Sequence, residues 1–305
     1  MDDTAVVQLQ SVTKKIGSKT IVDELSFEVR PGEVFGFLGP NGAGKTTTIR
    51  MMVGLISMTG GEVLIKGLSV NRQFEQAMVH VGAIVENPEF YGFMSGYQNL
   101  VHFARMMPDV EKTRIDEVVR LVRLENRIHD KVKTYSLGMR QRLGVAQAIL
   151  HRPAVLVLDE PTNGLDPEGI RELRDYLRQL AREEGLAVIV SSHLLSEMEL
   201  MCDRVAIIQN GRLLDVRSFK EAQSEEERIE VWFDVDSPEA ALRLTGKEAR
   251  LGVGSQLIVE LANRREAAAL NAKLVAAGIA VYGIRAQIKT LEEQFLEVTR
   301  GNRID

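Results

Sequence analysis

The chain opens on short runs rich in β-branched residues and Phe. Residues 6–12, 21–29 and 34–38 are separated by the turn signals Gly17-Ser18 and Pro31-Gly32, which predicts a β-rich beginning. A helix is expected over 46–55, then a strand over 62–65 that ends at Lys66-Gly67. Between Pro88 and His151 the apolar spacing becomes mostly helical, with segments near 97–107, 114–122 and 139–150, so a helical insertion is predicted there. Two wholly apolar runs, 155–158 and 187–190, flank a helical stretch over 171–182. That is the β-α-β pattern of a parallel sheet buried on both faces. A further apolar run, 205–208, stops at the turn Asn210-Gly211.

Beyond that turn the acidic cluster Ser224-Glu225-Glu226-Glu227 reads as a linker. Ile229, Val231, Phe233 and Val235 then alternate with Glu230, Trp232 and Asp234, the pattern of a half-buried strand. Trp232 falls on the solvent side of that alternation, where it marks an interface or packs on a neighbour. Asn263 with Glu266 and Thr290 with Glu293 are spaced as capping boxes. A second, smaller domain mixing α and β elements is therefore expected, with no ligand-binding constellation visible in it.

Length and charge narrow the possibilities. At 305 residues the chain is long enough for about two domains, and its net charge of -5 lacks the basic excess of a dedicated nucleic-acid binder. The single Cys202 allows no intramolecular disulfide and no recognisable zinc cluster. No apolar run is long enough to span a bilayer, and Met1-Asp2-Asp3-Thr4 lacks the features of a secretory signal, so an intracellular chain is expected.

The chemistry concentrates in two places. Gly39-Pro40-Asn41-Gly42-Ala43-Gly44-Lys45-Thr46, followed by Thr47, fits the phosphate-loop spacing and lies between a predicted strand and a predicted helix. There glycines let backbone N–H groups curl around an anion, Lys45 reaches terminal phosphates and the Thr46 hydroxyl can ligate Mg²⁺. Asp159 and Glu160 follow the apolar run 155–158, at the strand end where ligands of open α/β sheets bind. Asp159 is expected in the Mg²⁺ shell, and Glu160, on the other side of the strand end, to polarise an attacking water. Alone, such a pair also suits an ordinary surface turn.

With these motifs the sequence resembles the ATP-binding-cassette (ABC) ATPases over at least residues 6–217. The order of motifs carries the resemblance. A signature segment stands at Tyr135-Ser136-Leu137-Gly138-Met139-Arg140-Gln141, an aspartate loop at Pro161-Thr162-Asn163-Gly164-Leu165-Asp166, and a switch histidine at His193 after Ser191 and Ser192. The resemblance implies an α/β phosphate-loop cassette with a β-rich N-terminal subdomain and a helical subdomain over about 88–151. The expected division is 1–217 for the ATP-binding domain, 218–228 for a linker and 229–305 for a small mixed α+β accessory domain. It also implies that Ser136, Gly138 and Met139 cover ATP held by a partner's phosphate loop, in a head-to-tail homodimer or a heterodimer with a second cassette. From the residues alone, Ser136 equally reads as a plain helix N-cap.

Three positions depart from the family pattern. The signature is Y-S-L-G-M where L-S-G-G-Q is familiar, and Ile16 stands where an adenine-stacking aromatic is expected. At the Gln-loop position is Glu86, which keeps an oxygen for Mg²⁺ but loses the amide donor and repels an unshielded phosphate. Glu86, the signature and the extension ending Leu291-Glu292-Glu293-Gln294-Phe295-Leu296 make the chain similar to ATPases of bacterial drug and peptide-antibiotic exporters, of the bacitracin and lantibiotic type. The resemblance then implies ATP and Mg²⁺ as ligands, a separate transmembrane permease docking along about 90–107, a peripheral location on the cytoplasmic face of the membrane, and no nucleic-acid partner. Two alternatives stand beside it. A soluble ABC ATPase acting on ribosomes or DNA is disfavoured by the single cassette and the lack of sustained heptads. A phosphate-loop GTPase or small-molecule kinase is disfavoured because no N-K-x-D motif appears.

Overall fold

The computed structural model describes residues 5–107, 110–219, 229–245, 249–252, 254, 256–262 and 264–287. The chain divides into two units, Met1–Phe219 and Lys220–Asp305. The first begins with β1 (Val7–Ile16), β2 (Lys19–Val29), β3 (Val34–Leu38), α1 (Lys45–Met52), β4 (Gly60–Ile65), β5 (Leu68–Ser69), α2 (Phe74–Met78) and β6 (Val81–Ile84). A helical stretch follows: α3 (Gly96–Ala104), α4 (Lys112–Leu121), a short 3₁₀ turn at Val132–Thr134 and α5 (Leu137–Ala148). It closes with β7 (Val155–Leu158), α6 (Pro167–Glu184), β8 (Ala187–Ser192), α7 (Leu195–Met201), β9 (Arg204–Gln209) and β10 (Arg212–Ser218).

The opening strands form an antiparallel sheet ordered β2-β1-β4-β5. Leu9 opposes Phe27 and Val63 in it, so β-branched and aromatic side chains line one face. The second sheet runs β10-β9-β3-β8-β7-β6, parallel except for the edge strand β10. Every residue of β3, β7 and β8 is buried, as expected of apolar runs in a parallel sheet, and β8 ends in two buried serines, Ser191 and Ser192. Phe27 joins the two sheets: its ring stacks on Phe35 at 5.3 Å and tilts against Phe37 at 5.5 Å. Burying each such ring stabilises the fold by roughly 1.5–3 kcal/mol.

Helix ends follow local chemistry. The α3 N-terminus is a full capping box, with Ser95 Oγ accepting from the Gln98 N–H at 3.1 Å and Gln98 Oε1 accepting from the Ser95 N–H at 2.9 Å. α6 starts with Asp166 as N-cap and Pro167 in its first turn, and stops at Gly185 in the left-handed region. α5 begins at Leu137, two residues before the predicted start, because Ser136 caps it. The segment α2 to β6 was not expected from periodicity. α2 has only five residues, and β6 carries Gly82, at which a Cβ would come within 2.2 Å of the Ala148 carbonyl oxygen. Gly82 is there to let the end of α5 lie against the strand.

The second unit runs β11 (Ile229–Val235), α8 (Pro238–Thr245), β12 (Ala249–Leu251), β13 (Gln256–Leu261), α9 (Arg264–Ala276) and β14 (Val281–Gln287). Its antiparallel sheet is ordered β12-β13-β11-β14, the split β-α-β arrangement. Val231, Phe233, Val235, Leu257 and Val259 form its core with Ala241 and Leu274. Trp232 is half-buried and donates from Nε1 to Glu230 Oε1 at 2.7 Å. The acidic cluster at 224–227, Asn263, Thr290 with Glu293, and the segment 291–296 lie outside the described residues. Among the described residues no helix is long and apolar enough to cross a membrane.

Candidate functional site

Four neighbouring strands of the parallel sheet, β3, β8, β7 and β6, deliver the candidate residues from their C-terminal ends. β3 runs into the 39–47 loop, β8 into His193, β7 into Asp159 and Glu160, and β6 toward Glu86. Crossover connections fix this edge as the site of an open α/β sheet, because the loops after parallel strands all emerge there.

The loop is shaped by glycine. Gly42 and Gly44 have φ of 80° and 104°, and Gly39 sits so close to β9 that a Cβ would be 2.5 Å from the Ile208 carbonyl oxygen. Gly44 is the N-cap of α1, with no side-chain cap and no acidic residue in the first turn. Its first N–H groups and dipole are thus free to meet an anion. Ala43 donates from its N–H to the Pro40 carbonyl at 3.1 Å, while Gly211 N–H donates to the Ala43 carbonyl at 2.9 Å, anchoring the loop to the Asn210-Gly211 turn. Pro40, Asn41 and Gly42 are exposed at the rim.

Lys45 is only 6% exposed. Its Nζ donates to the Gly39 carbonyl at 2.7 Å and the Pro40 carbonyl at 3.4 Å, and lies 3.2 Å from Glu160 Oε1. The other Glu160 oxygen, Oε2, lies 3.0 Å from His193 Nδ1. An ionised carboxylate only accepts, so Nδ1 carries the proton in this contact. Loop lysine, strand-end glutamate and strand-end histidine are thus brought together. Asp159 turns the other way, is buried, and accepts from Ser191 Oγ at 2.6 Å. Ser191 Oγ in turn accepts from the Glu160 N–H at 2.8 Å. The Glu160 backbone lies in the left-handed region at φ 48°, which swings its side chain away from that of Asp159.

The oxygens present suit a hard cation that arrives with phosphate. Among the described residues no three His, Cys, Asp or Glu side chains group into a self-sufficient metal site. Thr46 makes no side-chain hydrogen bond among them, and Asp159 adds a carboxylate, the partial donor set typical of Mg²⁺ completed by substrate oxygens and water.

Ser136 caps α5 by accepting from the Met139 N–H at 3.3 Å, and Gly138 lies in the first turn of that helix. No hydrogen bond joins Ser136, Gly138 or Met139 to the 39–47 loop of the same chain among the described residues. The segment instead abuts the aspartate loop: a Cβ at Gly164 would lie 2.9 Å from Leu137 Cδ2. Asp166 is engaged as the N-cap of α6, accepting from the Gly169 N–H at 2.9 Å. Ile16 is 59% exposed at the end of β1. Glu86, at the Gln-loop position, is joined to Arg50 on α1.

Sequence reasoning passed over the supports of this site. Ser191 orients Asp159, and Glu197 on α7 accepts from Thr162 Oγ1 at 2.7 Å and Ser192 Oγ at 3.1 Å, tying the aspartate loop to the histidine strand. Two adjacent serines closing an apolar strand were the visible signal.

Known proteins of similar sequence and fold point to one family. The ABC transporter family pattern matches residues 22–163. The chain is 56% identical to the ABC transporter ATP-binding protein YhcH of Bacillus subtilis (strain 168) over 96% of each chain. It is 44% identical to the bacitracin transport ATP-binding protein BcrA of Bacillus licheniformis over 70% of this chain and 69% of that one. A solved ATP-binding subunit of an ABC transporter superposes with a TM-score of 0.63 at 26% identity, over 72% of this chain and 92% of the other. Sharing more than half its residues with one such protein from nearly end to end, the chain belongs to the ATP-binding subunits of ABC transporters, a family that binds and hydrolyses ATP to power transport.

Proposed function

We propose that this chain is the energising subunit of a bacterial exporter of drugs or antibiotic peptides, working with a separate permease at the cytoplasmic face of the membrane. The relative named for bacitracin transport supports the substrate class. A groove of about 860 Å³ between α2 and the ends of α3 and α5, lined by Phe74, Met78, Val79, Met106 and Met107, supports a dock for the permease. Tyr91 and Phe93, 45% and 67% exposed, extend the apolar surface that precedes α3. We read 1–217 as the ATPase domain and 229–305 as an accessory module.

The observation that carries the mechanism is the Glu160 carboxylate set between Lys45 Nζ and His193 Nδ1. A nucleotide phosphate entering the 39–47 loop offers Lys45 an alternative acceptor and releases Glu160 toward water. Glu160 then takes the proton as that water's oxygen bonds to the γ-phosphorus, and the bond from phosphorus to the bridging oxygen breaks toward ADP. Thr46 and Asp159 would hold a magnesium ion, which when bound would supply positive charge to the phosphate oxygens. His193 orients Glu160 and contacts the γ-phosphate, while Ser136, Gly138 and Met139 of a second cassette close over it. Asp166, capping α6 beside the signature segment, sets the interface between the two. Closure of the dimer moves the permease, and hydrolysis reopens it.

The test is Glu160→Gln. With MgATP this variant is expected to elute as a stable dimer in size-exclusion chromatography while turning over about a hundredfold slower than wild type, the usual scale for a lost general base. Normal steady-state hydrolysis would remove Glu160 from the role of base.

A further inference from the structure

Glu86 combines three features that the mechanism above does not use. Its backbone is in the left-handed region, φ 69°, which non-glycine residues rarely adopt. Its carboxylate is joined to the Arg50 guanidinium, although the two side chains are 67% and 40% exposed. Arg50, finally, stands four residues after Thr46 on α1, hence on the same helix face and one turn further from the loop. The Arg50 backbone therefore lies about one helical turn along α1 from that of Thr46, the residue whose hydroxyl is expected at the metal.

An ion pair this exposed adds little to stability, so its position has to be understood through charge. ATP brings several negative charges to the loop, and a bare carboxylate one turn away repels them. A guanidinium is permanently charged and planar, and neutralises a carboxylate by a directed contact. We propose that Arg50 is a positioning residue for the nucleotide site: it holds Glu86 and cancels its charge, so that a polyanionic nucleotide binds in the adjacent loop, and it ties the loop helix α1 to the segment after β6. This rests on the reading of 39–47 as the nucleotide loop.

The experiment measures ATP affinity of the purified full chain by titration calorimetry, at low and high salt, which needs neither turnover nor permease. Arg50→Gln is expected to weaken binding about fivefold at low salt and less at high salt, because a surface carboxylate is screened by ions. Glu86→Gln should bind as tightly as wild type or tighter. The double variant Arg50→Gln/Glu86→Gln should return to within about twofold of wild type, since no uncompensated charge remains. Unchanged affinity in Arg50→Gln, weaker binding in Glu86→Gln, or a double variant as weak as Arg50→Gln would each overturn the proposal. If Arg50→Gln does not fold, the exchange Arg50→Glu/Glu86→Arg carries the same test: affinity like wild type supports the pair, and weak binding by a folded exchange variant overturns it. Lys45→Ala in the same series separates the two levels. Retained ATP affinity there overturns the loop reading and the proposal with it, whereas loss there with none in Arg50→Gln overturns only the role of Arg50.

Discussion

Glu160 and Asp159 are neighbours in sequence yet serve opposite sides of one strand end. The left-handed φ of Glu160 costs of the order of 1–3 kcal/mol for a residue with a side chain, and the Ser191 hydroxyl, bonded to both residues, holds it. Cys202 shows the converse, a reactive group made inert. It is buried, and burial pushes its thiol well above the usual cysteine range, so the thiolate that reacts is not formed near neutral pH. Ellman's reagent is expected to leave Cys202 untouched in the native protein and to titrate one thiol after unfolding in guanidinium; rapid native labelling would contradict its placement behind α7. At this scale the sequence was legible where chemistry depends on spacing along the chain, as from Gly39 to Thr46 or in Asp159-Glu160. It was opaque where partners meet only through space. Nothing in the sequence links Arg50 to Glu86, or Glu197 to Thr162 and Ser192, since 35 residues and a helix separate Thr162 from Glu197.

Among the elements, β3, β7 and the apolar run that opens β8 could be read directly, because burial on both faces leaves those stretches without polar interruption. The β6 strand could not, since Gly82 and Ala83 are poor strand formers, Gly82 being required by the close approach of α5. α7, at seven residues, is too short for a period to emerge. In the second unit β11 alternates cleanly, whereas β14 pairs with β11, a partner about fifty residues back in the chain, and the three-residue β12 is too short for a pattern to emerge. The N-terminus of α5 poses a question that its structure makes testable: Ser136 both caps the helix and occupies the signature position. Aspartate caps as well as serine but presents a negative charge to phosphate. Ser136→Asp should therefore keep the wild-type melting midpoint and lose ATP-driven dimerisation. Ser136→Ala should lose about 1 kcal/mol of stability, measured by denaturant titration. Normal dimerisation of Ser136→Asp would reduce Ser136 to a cap.

Considered whole, the chain carries one set of the cassette motifs in order and, among the described residues, no helix long and apolar enough to cross a membrane. Its two candidate anion sites are the N-termini of α1 and α5, and the head-to-tail pair proposed above brings one site of each chain to the other of its partner. The apolar groove lined by Met106 and Met107 is the surface proposed above for the permease. The account therefore stands on the existence of a membrane partner. The direct measurement is to express tagged Glu160→Gln at native level, hold it with MgATP, extract membranes mildly, and identify the co-purifying proteins by mass spectrometry. A polytopic membrane protein in stoichiometric yield is the predicted result. Recovery of the ATPase chiefly in the soluble fraction, with ribosomal proteins or DNA-bound complexes in place of a permease, would contradict the exporter reading.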